Sequence, residues 1–362
     1  MRRCRYILLI LGLVGHIYLA TGQTNNKPEN PNTIKFVSFP DFFNFDIPEP
    51  WPDYDTAVDY FLTQVKEENP DFVLITGDLV NGHWWDSPRC IEHMGAVYFS
   101  GWKRRMQRYG LKYYTAVGDH ELGDDPWPEE KRRLVSYFEE VYNKHLMMPT
   151  NGPDYKKGLA YFVREDDLLL ITVEPFEIVD DSMRIDVRGE QLEWLRKVLA
   201  DNKDAKFKII QCHVGLWGDL KDRSSSRLFI ENGKEGGFYK TMKEFGVDLY
   251  LAGEFHAVSI LESDGIWEIV HGSSWGRKVV DTEDYLVGEV CGDTLKLQMK
   301  CIYMDAKGGN MWNLHKDKGP REKVEINEKT LENGPEVTGT LTIINKNGNK
   351  SYINKSGYFI EN

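Results

Sequence analysis

The chain has 362 residues, 41% of them hydrophobic, and a formal net charge of −12 at pH 7. That length and apolar content exclude a disordered chain and suit one large α/β domain with an appendage, or two modest domains. The acidic balance makes nucleic acid and anionic membrane surfaces poor partners.

Arg2, Arg3 and Arg5 precede an apolar run from Tyr6 to Ala20 and a small-residue site, Ala20-Thr21-Gly22. This is the layout of a secretory signal peptide over residues 1–22, cleaved near Gln23. The apolar run is shorter than the roughly 20 residues that span a bilayer, so the expectation is export to a periplasmic or extracellular space, with no membrane contact after cleavage and an uncleaved anchor as the alternative. Residues 23–33 read as a polar, proline-containing linker.

Apolar β-rich runs then alternate with segments of helical period, which predicts strands linked by helices. Strands are expected over 34–39, 72–76 and 111–117, with helices over 56–69, 91–108 and 129–145 between and after them. Strands over 159–163 and 168–173 lead to a helix over 189–201, whose Leu192, Leu195 and Leu199 share one face. Strands over 207–212, 248–252, 257–262 and 266–271 continue the pattern. Beyond about Lys278 the helical period disappears. The main domain is placed at 34–305 and a small β-rich extension at 306–362, where GTLTIIN and SYINKSGYFI suggest a terminal hairpin. Cys4 leaves with the leader. Cys90, Cys212, Cys291 and Cys301 form neither a disulfide framework nor a CxxC zinc motif, and Cys291 and Cys301 sit out of register across the Gly292-Asp293 turn.

The informative feature is where the polar residues fall. Asp41 follows the first strand, Gly77-Asp78 the second, Gly118-Asp119-His120-Glu121 the third, His213 the run FKIIQC, and Gly253-Glu254 with His256 the run DLYLA. Ligands of open α/β sheets bind outside the carboxyl ends of strands, so residues distant in sequence can converge there. The glycine before Asp78, Asp119 and Glu254 is read as backbone freedom for a tight strand exit.

This ordered series resembles the calcineurin-like metallophosphoesterase family, with blocks Asp-x-His, Gly-Asp, Gly-Asn-His-Glu/Asp, His and Gly-His-x-His. The resemblance covers roughly Thr33 to Lys278. It implies an α/β fold, a four-layer sandwich of two mixed β-sheets flanked by helices, with a two-metal centre at the strand ends. It also implies that Asp41 and His256 bind one metal, Asp78 bridges both, and Asp119 and His213 bind the second. His120 becomes the leaving-group acid, with Asp119 and Glu121 expected to orient its ring.

Three positions depart from the pattern: Phe43 replaces the first-block His, Asp119 an Asn, and Glu254 a His. Asp and Glu are both oxygen donors, so two of the three changes keep a ligand. Asp46 or Asn44 is the candidate to fill the gap left at Phe43, with a solvated loop residue as the alternative for Asp46. The oxygen-rich set favours manganese, iron or magnesium over zinc. The implied partner is a small phosphate ester, with Trp84, Trp85, Trp127, Trp217 and Trp275 near strand exits, and His83, Trp85 and Arg277 as weaker substrate contacts. Arg223 is a further candidate phosphate contact, and His83 and Asn81 are weaker candidates for the ligand missing at Phe43. Two competitors stay open: a non-catalytic relative of the same fold, suggested by Phe43, and a carboxylate-pair glycosidase, which leaves the histidine blocks unexplained.

Overall fold

The computed structural model describes residues 33–41, 52–80, 82–216, 227–271, 282–307 and 323–360. The expected leader, the expected linker up to residue 32, Phe43, Asn44, Asp46, Asn81, Trp217, Arg223, Trp275 and Arg277 lie outside these residues, and Thr33, the last residue assigned to the linker, already belongs to the first strand.

The first half follows the predicted alternation. β1 (Thr33–Phe39), β2 (Phe72–Ile75) and β3 (Tyr113–Thr115) are joined by α1 (Pro52–Glu67) and α2 (Pro88–Arg108). α2 starts where Ser87 accepts a hydrogen bond from the Cys90 amide and Pro88 supplies a preset first turn. The expected helix over 129–145 is two pieces, α3 (Glu129–Arg132) and α4 (Val135–Leu146). The Leu134 amide bonds the Lys131 carbonyl at 2.9 Å, three residues back, which tightens the chain between them.

The second half supplies β4 (Tyr161–Glu165), β5 (Leu168–Thr172), a hairpin of β6 (Phe176–Val179) and β7 (Ser182–Ile185), α5 (Gly189–Asp201), β8 (Phe207–Gln211), α6 (Gly237–Glu244), β9 (Leu249–Ala252), β10 (Ser259–Ser263) and β11 (Ile266–Val270). On α5, Leu195 and Leu199 are buried and Leu192 is partly so. The hairpin and α6 are absent from the sequence reading. The hairpin turn is signalled only by Asp180-Asp181, both in the left-handed region (φ 47° and 55°), which suits a tight primed turn.

β12 (Thr282–Cys291), β13 (Thr294–Lys307), β14 (Lys323–Ile326), β15 (Glu336–Lys346) and β16 (Asn349–Gly357) complete the chain, with a short α7 (Glu328–Asn333) where no helix is expected. Cys291 faces Thr294 and Cys301 faces Asp284 across the β12–β13 ladder, so the two thiols are out of register and are not joined in a disulfide.

Apart from the separate β6–β7 hairpin, these strands form two mixed sheets. One runs β16-β15-β13-β12-β1-β2-β3 with β14 on β13, and the other runs β10-β11-β9-β8-β5-β4. β1–β2–β3 and β5–β8–β9–β11 are parallel neighbours, and the remaining pairs are antiparallel. β2, β5, β8 and β9 are buried at every residue, as strands covered on both faces must be. The sheets are tied across the interior by polar contacts. The Tyr161 hydroxyl donates to the Thr115 carbonyl at 2.8 Å, and the His271 ring meets Ser38 Oγ at 2.5 Å. The β15–β16 hairpin docks on the second sheet, where Trp267 meets Tyr352 and Phe359 with ring centroids 5.8 and 5.9 Å apart. The parallel strands of both sheets end on one side, and there the polar residues gather.

Candidate metal centre

Each candidate ligand sits in the turn that leaves a buried parallel strand. Asp41 follows β1, Asp78 follows β2, Asp119 follows β3, His213 follows β8, and Glu254 and His256 follow β9. All six come together. Donor atoms of Asp78, Asp119, His213 and Glu254 lie within 4.8 Å of one another, and so do those of Asp41, Asp78 and His256. Asp78 is common to both groups. Asp41, Asp119, His213 and Glu254 are fully buried, and Asp78 almost so.

The chain holds unfavourable torsions to achieve this. Asp41, Asp78, Glu254 and His256 have φ of 46°, 57°, 69° and 53°. Left-handed non-glycine residues cost on the order of 1–3 kcal/mol each and concentrate at functional sites. The glycines serve two different ends. Gly77, at φ +98°, needs torsional freedom, as expected. Gly118 and Gly253 are not in the left-handed region, and what they provide is room: a Cβ there would stand 2.1 Å from Asp78 Oδ1 and 2.9 Å from Asp41 Oδ1, respectively.

His213 is fixed from behind. Its Nδ1 lies 2.7 Å from the Thr76 carbonyl, an acceptor only, so Nδ1 carries the proton and Nε2 faces the carboxylates. Nε2 is 3.0 Å from Asp119 Oδ1, 3.4 Å from Asp78 Oδ1 and 3.5 Å from Glu254 Oε2. A bare lone pair among carboxylate oxygens is repelled unless a proton or a cation stands between them. Burial accordingly pushes the Asp41 carboxyl up to about 7 despite the His213 charge, and burial plus the Asp119 charge carries Asp78 well above its usual value. The His213 imidazole is held well above its ordinary range, because the Asp78 and Asp119 charges outweigh its burial. For Asp119 the His213 hydrogen bond and the neighbouring imidazole charges win over burial, and its carboxyl is lowered. Asp41 Oδ2 and Asp119 Oδ2 are buried without a hydrogen-bond partner among the described residues, so divalent cations fit this donor set.

Glu121 and His120 correct the sequence reading. Glu121 does not orient the His120 ring. Its carboxylate accepts from the amides of Asp78 (2.8 Å), Leu79 (2.7 Å), Val80 (3.3 Å) and Gly118 (2.8 Å), binding the second ligand turn to the third. Asp119 points at His213. The carboxylates near His120 Nε2 are Asp124 at 3.6 Å and Asp78 at 3.9 Å. Asp124, which sequence reasoning missed, also lies 2.5 Å from Nε2 of the half-exposed His83.

The tryptophans split. Trp84 is buried against Tyr98, Phe99 and Phe138, and Trp127 against Phe176, so both belong to the core. Trp85 is 36% exposed, with the Lys131 ammonium 5.2 Å above its ring.

Buried carboxylates and histidine around one shared aspartate form two adjoining candidate donor groups for cations. Comparison with known proteins gives the class: the calcineurin-like phosphoesterase family matches residues 46–258, and the chain belongs to that family. Among solved structures, a dimetal phosphatase from Danio rerio superposes with a TM-score of 0.51 at 12% identity, covering 74% of this chain and 95% of that one. GAP50, the anchor in the inner membrane complex of Plasmodium, gives 0.45 at 15% identity over 82% and 90% of the two chains. A putative 5'-nucleotidase from Staphylococcus aureus gives 0.41 at 15% identity over 71% and 51%. No curated protein sequence matches the chain. Among the described residues no helix is long and apolar enough to cross a membrane.

Proposed function

We propose that the protein is an exported metal-dependent phosphoesterase that hydrolyses small phosphate mono- or diesters at a two-cation centre. The observation that carries this reading is the sharing of Asp78 between two adjoining donor groups. Asp41, Asp78 and His256 would hold one cation, and Asp78, Asp119, His213 and Glu254 the other. A bound pair would supply a nucleophile from water at neutral pH and neutralise the phosphoryl charge. Four carboxylates against two divalent cations are formally neutral, and the oxygen-rich ligation favours manganese, iron or magnesium over zinc.

The chain's own residues do the rest. Glu121 holds the Asp78 and Asp119 turns in fixed relation, and the Thr76 carbonyl keeps His213 in the tautomer that presents Nε2. His120, beside Asp78 and outside both donor groups, carries the proton for the leaving oxygen, and the Asp124 carboxylate 3.6 Å from its Nε2 favours the charged ring. His83 and Trp85 stand near this side of the site as substrate contacts.

Purified protein stripped with a chelator, then assayed on aryl phosphate mono- and diesters with each metal added back, tests the reading. Chelator-sensitive hydrolysis restored best by manganese, iron or magnesium is expected. Stoichiometric metal binding without hydrolysis would favour the non-catalytic relative, the reading that Phe43 in place of a family histidine supports.

A further inference from the structure

Beside the six-residue centre lies a second group of donors with a different composition. Gly123 (φ 93°) and Asp124 (φ 68°) turn the chain back after the His120 turn. The Asp124 amide donates to the Asp119 carbonyl at 2.8 Å, and the Lys131 ammonium holds the Gly123 and Asp124 carbonyls at 2.9 and 2.6 Å. The Asp124 carboxylate is thereby fixed between two imidazoles, with Oδ2 2.5 Å from His83 Nε2 and Oδ1 3.6 Å from His120 Nε2. The two rings are 5.7 Å apart, tilted by 33°. Gly82 permits this approach, since a Cβ there would stand 2.0 Å from the His120 carbonyl oxygen.

We propose that His83, His120 and Asp124 bind a third divalent cation, of the zinc class, beside the two-cation centre. One donor atom from each lies within 4.8 Å of the others, and the half-exposed His83 opens the set to solvent. Two imidazoles and one carboxylate with a side left for water are the donors of an open zinc site.

The donor chemistry separates the sites. The main centre is oxygen-rich, and this one is mostly nitrogen, which suits zinc, cobalt or nickel better than magnesium or manganese. The cation and the proton compete for one atom, His120 Nε2. A cation held there removes the group that protonates the leaving oxygen, so zinc added to the manganese-loaded protein inhibits. This consequence rests on the proposed phosphoesterase reading, whereas the existence of the site does not.

The test is metal counting on tag-free full-length protein. Manganese-saturated protein is titrated with zinc in excess manganese, and bound metals are measured by calorimetry and by elemental analysis after gel filtration. One zinc per chain beyond two manganese is expected, with zinc affinity weakened at least about tenfold in both His83→Gln and Asp124→Asn. Asp78→Asn is expected to lose manganese and keep the zinc. Zinc that only displaces manganese, or an extra zinc unchanged in both mouth variants, overturns the site and leaves the two-cation reading intact. Wild-type protein that binds no manganese but one zinc, lost in His83→Gln, keeps this site and overturns the two-cation reading.

Discussion

The Cα of Gly118 approaches Asp78 so closely that a methyl group on it would stand 2.1 Å from Asp78 Oδ1. Asp78 joins both donor groups, and the residue packed against it belongs to a different strand exit. The two turns are therefore built around one carboxylate. Gly118→Ala is expected to displace that carboxylate and lower bound manganese and kcat/KM together, by about 10- to 100-fold. Metal analysis beside steady-state kinetics checks this, with circular dichroism to show that the fold persists.

Glu121 makes a separate prediction, about stability. Its two oxygens accept four backbone amides from two turns, and the side chain is fully buried. Glu121→Gln replaces one accepting oxygen with an NH₂ that faces donors, leaving amides unsatisfied at about 1–3 kcal/mol. Urea denaturation should show a midpoint lowered accordingly, with metal binding weakened as a consequence. An unchanged midpoint would mean that the turns hold themselves.

His120 is tested by substrate choice. The proton it gives matters only when the leaving oxygen is a poor leaving group. His120→Ala should slow hydrolysis of an alkyl phosphate by roughly a hundredfold or more, and that of a nitrophenyl phosphate far less. Equal losses on both substrates would remove the acid role and leave His120 as a positioning or metal-binding residue.

Much of the site is legible in the sequence, because a buried parallel strand announces itself by its apolar run and the residue just past its end faces the shared edge. That logic marks the strand exits, the family resemblance selects Asp41, Asp78, Asp119, His213, Glu254 and His256 from them, and the structure brings all six together. What escapes it depends on how a loop folds back. Asp124 reaches His83 and His120 only because Gly123 and Asp124 reverse the chain, and nothing in the spacing of GDHELGDD marks the second aspartate as the one that returns. Glu121 looks like a partner for its neighbour His120, yet its carboxylate turns to the amides of a different strand exit. Trp84 and Trp127 show the same limit from the apolar side: their position after a strand suggests a rim, and their burial against Phe138 and Phe176 places them in the core.

His271 supports a prediction about pH. Its fully buried ring joins the sheets, with Nδ1 3.2 Å from the Ala252 carbonyl and Nε2 2.5 Å from Ser38 Oγ. Nδ1 therefore donates, and Nε2 accepts from the serine hydroxyl. Protonating Nε2 would break that acceptance and place a charge in the interior, so burial holds the imidazole down at about 4 against an ordinary value of 6.5. The folded-state value lies below the unfolded one, so between them the unfolded chain takes up a proton that the folded chain refuses. Stability is then fully present above 6.5 and declines as pH falls toward 4, by on the order of 3 kcal/mol from this residue. Urea denaturation of chelator-treated protein at successive pH values, with wild type against His271→Gln, reads this directly. The variant is less stable at pH 7.5 because it lacks the ring, and its stability should fall less steeply over that window. Parallel slopes would show that the imidazole accommodates its charge and that the acid sensitivity of the fold arises elsewhere.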